Sequence, residues 1–147
     1  MDILFNSDTE FSLRVLALLG EYGRAMTLDE IFFVDFIACY PSIFGIDGYD
    51  IVGTNTYLLG ELPLRRQKIS DATKILLFKN LLNVKLDPVK GFLYGISNKG
   101  VNFDLNFDND YMEKFRGNID SVLSKYEGKS EIELMKLLET HLSKEKD

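Results

Sequence analysis

The chain has 147 residues, of which 46% are hydrophobic and 27% charged, a composition typical of a globular protein with a single core. The formal net charge is -6, no apolar run approaches the ~18–20 residues of a membrane span, and the N-terminus lacks a basic secretory start, so we expect a cytoplasmic protein. One Cys and one His exclude an internal disulfide, cysteine-rich zinc sites and His-pair metal motifs.

Two capping boxes predict the first two helices. Ser7-x-x-Glu10 opens a helix that Gly23 ends, and Thr27-x-x-Glu30 opens a second helix that runs to about Tyr40. Pro41 ends this second helix, because proline disfavours the helical conformation of the residue before it. The Gly-, Asp-, Asn- and Tyr-rich residues 41–60 are interpreted as one long ordered loop, a class of segment that is often functional.

A third helix and a hairpin follow. Apolar periodicity predicts a helix over 61–82, with a bend near Ser70. A five-residue turn, Asp87–Gly91, then joins two short β-rich runs and predicts a hairpin near 83–97. We expect Ser97–Gly100 to close that hairpin.

Two amphipathic helices complete the chain. The fourth starts at Asp108, is interrupted by Gly117 and ends at Gly128, and a third capping box opens the last helix. The last helix either packs back on its own domain or docks in a groove of a partner. For the docking alternative, the predicted contact residues are Met135, Leu138 and Leu142.

These elements define a fold class. The sequence predicts a mainly α protein with a small β-hairpin: a winged-helix-like domain over 1–103, in which three helices precede a two-stranded wing, and a C-terminal helical extension over 104–147. We expect this extension to pack on the domain or on a partner.

Basic residues are concentrated in one part of the chain. Residues 61–99 hold three acidic and eight basic residues, between two segments of net negative charge. The segment is either an ordinary solvated face or a contact surface for a DNA backbone or an acidic partner. The overall acidity argues against a tight, stand-alone DNA binder. The residues predicted for this surface are Arg65, Arg66, Lys68, Lys74, Lys85 and Lys90.

The sequence offers no catalytic constellation. Cys39 is interpreted as a small buried hydrophobe and His141 as a surface residue near a helix end. Asp108 and Asp110 fit helix caps better than metal ligands, and Gly45–Gly48 lacks the Lys-Ser/Thr of a phosphate-binding loop. We therefore expect no enzyme activity, no catalytic residue, no cofactor and no metal.

Several motifs together resemble a known family. They are Phe5-Asn6-Ser7 entering a helix, Val34-Asp35-Phe36 before the Gly- and Asp-rich loop, Leu64-Arg65-Arg66, and Gly91 to Gly100, extended by Tyr111 and Phe115. The pattern resembles the small middle component of bacterial ABC-three-component systems, the group that includes Lamassu-type anti-phage defence. It covers roughly residues 4–126.

The resemblance implies a non-catalytic subunit that bridges an SMC-like ABC ATPase with a long coiled coil and an effector, often a nuclease. DNA would be reached through the assembled complex. A stand-alone winged-helix transcription regulator is the alternative left open, and it should bind duplex DNA alone with a steep salt dependence.

Overall fold

The computed structural model describes residues 8–51 and 58–146. Within these ranges the chain forms six helices and one antiparallel hairpin, which confirms the predicted fold class of a mainly α protein with a small β-hairpin. The elements are α1 (Asp8–Tyr22), α2 (Leu28–Cys39), α3 (Leu58–Phe78), β1 (Leu82–Asp87), β2 (Gly91–Ile96), α4 (Asn98–Asn106), α5 (Asp110–Tyr126) and α6 (Glu131–Lys146).

Helix α2 is the centre of the fold. Every residue from Glu30 to Cys39 is buried, because α1, α3, α5 and α6 all pack on this helix. Its predicted capping box is confirmed: the Glu30 amide donates to Thr27 Oγ1 and the Thr27 amide donates to the Glu30 carboxylate, each at 3.1 Å. Ser7, predicted to cap α1, lies outside the described residues.

Helix α3 differs from its predicted bounds at both ends. It starts at Leu58 and contains Gly60, so the predicted loop over 41–60 is wrong at its C-terminal end. It ends at Phe78 because Asn80 takes a left-handed conformation with a φ of 62°, and the Leu81 amide then donates to the Leu76 carbonyl. Residues 79–81, which were predicted to be helical, therefore form a turn, and Leu82 starts β1.

The predicted hairpin near 83–97 is confirmed. Its register pairs Leu82 with Ile96 and Asp87 with Gly91. The segment between α1 and α2 lies against the hairpin, where the Met26 amide donates to the Tyr94 carbonyl at 2.9 Å and the Tyr94 amide donates to the Met26 carbonyl at 2.8 Å. This order of helices, bridge and hairpin is compatible with a winged helix, an assignment that stays a prediction.

Helix α4 is absent from the sequence prediction. Ser97 does not close the hairpin but caps this helix, accepting a hydrogen bond from the Gly100 amide at 3.0 Å. Gly100 lies so close to the preceding turn that an added Cβ would come within 2.2 Å of the Leu81 carbonyl oxygen. Gly100 is the one residue of α4 that is buried, so no apolar stripe marks the helix in the sequence.

The two C-terminal helices close the core. Helix α5 is capped by Asn109, not by Asp108, and Gly117 lies inside it without a break. Gly128, with a φ of 86°, separates it from α6, whose capping box at Ser130 is confirmed. Helix α5 packs on α1 and α2, and α6 packs on α2 and α3. The division of the chain at 103/104 stays a prediction.

No helix within the described residues has both the length and the apolar character that crossing a bilayer requires.

Candidate functional site

Arg65, predicted for an exposed basic surface, lies inside the protein. It is 5% exposed, and its guanidinium lies over the rings of Tyr40 and Phe36, 5.2 and 5.7 Å from their centroids. One of its terminal nitrogens donates to the Tyr40 hydroxyl, and Glu61 lies 3.8 Å from its Nε. The assignment of Arg65 to a DNA or partner surface is therefore wrong in this conformation.

The position of Arg65 has a signal in the sequence. It precedes the buried Ile69, Ala72 and Leu76 by four, seven and eleven residues, which places it on the same face of α3 as these residues. This face is turned towards α2. The positive charge suggested a solvent-exposed side chain, whereas the helical spacing indicated an interior one.

Two other predicted basic residues are engaged by carboxylates of the same chain. Arg66 forms an ion pair with Asp29 of α2, and Lys68 Nζ lies 2.9 Å from Asp8 Oδ1 of α1. Both basic side chains are more than one-third exposed, so they remain accessible. Each pair links α3 to another helix, and a ligand on this face would compete with Asp29 and Asp8.

Lys74, Lys85 and Lys90 are exposed as predicted. Lys74 lies on α3, Lys85 on β1 and Lys90 in the hairpin turn. The Asp87 carboxylate holds this turn by accepting hydrogen bonds from the Lys90 and Val89 amides at 2.9 and 2.8 Å, and these bonds lower the Asp87 pKa. Lys90 is therefore presented by an ordered hairpin tip.

The predicted docking residues of the last helix separate into two groups. Leu138 and Leu142 are 1% and 2% exposed and join the core formed with α2, whereas Met135 is 42% exposed. Two contacts near the ends of α6 hold it in place: Thr27 donates to the Glu131 carboxylate, and the rings of Phe44 and His141 lie 5.1 Å apart. In this conformation the helix packs on its own domain, and Met135 is the predicted docking residue that a partner can reach.

Exposed apolar side chains form a second kind of surface, which the sequence did not indicate. Some lie on the hairpin, where they are 47–91% exposed, and others lie at the end of α3, on α4 or directly after α4, where they are 37–89% exposed. Side chains at such positions mark protein contacts when they lie together. The hairpin residues are Val84, Leu86, Val89 and Phe92, and the others are Phe78, Val101, Phe103, Leu105 and Phe107.

The reactive side chains are held in structural roles. Cys39 is fully buried, and burial raises the pKa of its thiol to about 12, so it is protonated at neutral pH. His141 is half-buried against Phe44, and Arg116 holds Asp104 and Asp108 at 3.1 and 3.2 Å. In the described ranges, His, Cys, Asp and Glu side chains form no group of three that could hold a metal ion.

The family described as ABC-three component (ABC-3C) system Middle Component 2 has a model that matches residues 4–147. Neither the curated proteins nor the solved structures compared with this chain contain a significant match.

Proposed function

We propose that this chain, which belongs to the family of ABC-three component system Middle Component 2, is a non-catalytic accessory subunit of a Lamassu-type anti-phage defence complex. In this proposal it bridges an SMC-like ABC ATPase subunit and an effector subunit, often a nuclease. The observation that carries the proposal is the family match over residues 4–147. A middle component of a system with several components implies partner proteins.

The surface supports a role in contacts rather than in chemistry. Cys39 has a protonated, buried thiol, and His141 packs against an aromatic ring. By contrast, large apolar side chains such as Phe78 and Val89 are 89% and 91% exposed. Apolar groups at this exposure lower the free energy when a partner covers them.

Co-expression tests this proposal directly. The chain, carrying an affinity tag, is produced with the ATPase and the effector of its own system, and the purified material is analysed by size-exclusion chromatography with light scattering. We expect one peak that contains all three chains, and loss of phage protection when this chain is omitted. An isolated ATPase–effector complex that protects fully without this chain would contradict a bridging role.

The exposed lysines Lys74, Lys85 and Lys90 are proposed to contact a DNA backbone or an acidic partner surface within the assembled complex, together with Arg66 and Lys68. Arg65 is left out because it is buried. Reversing Lys74, Lys85 and Lys90 to Glu should leave the melting temperature nearly unchanged, since exposed charges contribute about 0–1 kcal/mol to folding. It should weaken binding of a DNA duplex or of the partner subunits.

The matched control for this triple variant is Lys136→Glu, a reversal at an exposed lysine of α6. Binding by the wild type should fall with added salt, because screening weakens contacts between exposed charges. Unchanged binding by the triple variant would assign Lys74, Lys85 and Lys90 to an ordinary solvated face.

A stand-alone winged-helix transcription regulator is the second candidate. The observation that favours it is the antiparallel bridge between Met26 and Tyr94. Through this bridge the segment between α1 and α2 pairs with β2 of the hairpin. Titration of the isolated chain with duplex DNA separates the two candidates. A regulator binds the duplex alone with a steep salt dependence, whereas the accessory subunit needs the assembled complex.

A further inference from the structure

A groove lies on the surface between α1, α3 and α4. It consists of two adjoining cavities of about 260 and 370 Å³, which share Lys79, Leu81 and Phe103 as lining residues. We refer to these two cavities together as the α3–α4 groove. Its aliphatic floor is buried and consists of Leu13, Leu16, Leu76 and Leu81.

The rim of the α3–α4 groove is aromatic and exposed. Phe78 is 89% exposed, Phe103 is 45% exposed, and Phe103 stacks on Phe107 with a centroid distance of 6.3 Å and an interplanar angle of 10°. Helix α4 buries Gly100 and leaves its large apolar side chains in contact with solvent. A helix whose large apolar side chains stay exposed gains little stabilisation from burial in the core of its own chain, and it offers an apolar face to another chain.

The charges at the groove favour an acidic occupant. Lys79 and Lys99 both line the second cavity, and Lys99 Nζ donates to the Lys79 carbonyl at 3.2 Å. Among the lining residues that the structure describes, the one carboxylate is Asp8, which already has Lys68 as its ion-pair partner at 2.9 Å. The groove therefore has an excess of positive charge next to its aromatic rim.

We infer that the α3–α4 groove binds an acidic amphipathic segment of a partner subunit, whose apolar side chains enter the groove while its carboxylates pair with Lys79 and Lys99. The inference rests on the proposed function, since it names the kind of partner segment that the accessory subunit holds. An aliphatic floor suits an inserted leucine or phenylalanine side chain, and the two lysines fix its orientation through charge complementarity.

Two groove variants test the inference in the co-expressed complex: Phe78→Ser, and Lys79→Glu combined with Lys99→Glu. Because Phe78 and the two lysines are exposed, both variants should keep the melting temperature of the isolated chain. Each should weaken binding to the ATPase or the effector at least about tenfold, as expected for contacts at the centre of an interface. The matched controls are Ile132→Ser and Lys136→Glu, both at exposed positions of α6, which should bind as the wild type does.

Carbodiimide crosslinking identifies the occupant, because this reagent joins a lysine amine to a carboxylate without a spacer. In the wild-type complex, mass spectrometry should find Lys79 or Lys99 joined to Asp or Glu residues of a partner subunit. The crosslink should disappear when both lysines are replaced by Arg, while the complex itself persists.

Several outcomes would overturn the inference. If both groove variants bind with wild-type affinity, the inference about the groove is overturned and the proposed function is unaffected. If the wild-type chain binds neither subunit, the inference and the proposed function are both overturned. A wild-type dimer lost in Phe78→Ser would assign the groove to a second copy. Release of the partner by nuclease would assign the groove to a nucleic acid, and a lower melting temperature of isolated Phe78→Ser would assign it to residues 1–7 of this chain.

Discussion

Arg14 Nε donates to Asp35 Oδ1 at 2.7 Å between two helices, in a place where Arg14 is fully buried and Asp35 is 3% exposed. A second guanidinium nitrogen reaches Asp35 Oδ2 at 3.3 Å, and a third donates to the Tyr111 hydroxyl at 3.0 Å. The arginine thus joins α1, α2 and α5 through one planar group. Buried charges of this kind are tolerated because each is paired and hydrogen-bonded.

Removing one partner of this pair should be costly. We expect Asp35→Asn to lower the free energy of unfolding by about 3–5 kcal/mol, because it removes the carboxylate charge that forms an ion pair with the buried Arg14. Urea titration followed by circular dichroism measures the loss. The double variant Arg14→Met with Asp35→Leu should lose less than Asp35→Asn alone. If the double variant loses more, packing rather than charge pairing determines the effect.

Gly48 should not accept a side chain. Its φ is 152°, and an added Cβ would lie 2.2 Å from Asn118 Oδ1, the oxygen that accepts the Tyr49 amide. Gly48→Ala should therefore lower the free energy of unfolding by about 1–3 kcal/mol. The control is Gly117→Ala at an exposed position of α5, which should raise stability by about 0.5–1 kcal/mol because alanine favours a helix. Equal effects of both substitutions would contradict the role of Asn118 as an anchor of this loop.

Stability should fall as pH rises between about 4.5 and 7. Partial burial, together with a hydrogen bond to Asp120, raises the pKa of Glu21 from 4.5 to about 7, Asp104 adds to this effect, and Arg116 opposes it. In this window the folded chain binds a proton at Glu21 that the unfolded chain has lost, so deprotonation favours unfolding. Glu21→Gln should flatten the dependence of the melting temperature on pH over this range. An unchanged pH profile would exclude Glu21 as its source.

The last helix can be tested at two neighbouring apolar positions with different burial. Leu138→Asp should cost at least about 3–5 kcal/mol, since it places a charge without a partner in the core, whereas Met135→Asp should change stability by less than about 0.5 kcal/mol. Thermal unfolding of the isolated chains measures both. A folded Leu138→Asp protein that no longer binds its partners would instead show that α6 leaves the core and docks.

Local features of the sequence predicted local structure well. The capping boxes at Thr27 and Ser130 and the turn at Asp87 depend on residues at most four positions apart, so their chemistry is visible without the fold. Helix α4 was missed because its one buried residue is a glycine, and its apolar residues Val101, Phe103 and Leu105 alternate at a period of two instead of following a helical spacing. The caps and the turn, which are stabilised by neighbouring residues, could therefore be predicted from the sequence. Helix α4 could not, because it depends on the close approach of Gly100 to Leu81.

The candidate surfaces could be identified only from the tertiary structure. A count of charged residues does not distinguish Arg65 from Lys74, although α2 covers Arg65 and Lys74 is exposed to solvent. The same uncertainty applied to α6, because a leucine stripe fits an internal core and a partner groove equally well. The α3–α4 groove could not be predicted at all, since its floor comes from α1, α3 and the turn after α3, and its rim from α3 and α4.

The encirclement of α2 has a consequence for synthesis of the protein. Its faces are covered by α1 and α3, made before or soon after it, and also by α5 and α6, which are made after the hairpin and α4. The Tyr111 hydroxyl reaches Arg14 across 97 positions, and Glu131 reaches Thr27 across 104. The nascent chain therefore carries the parts of α2 that α5 and α6 cover without these two helices until residues 110–146 have been translated, and in this period it is open to aggregation and to chaperones.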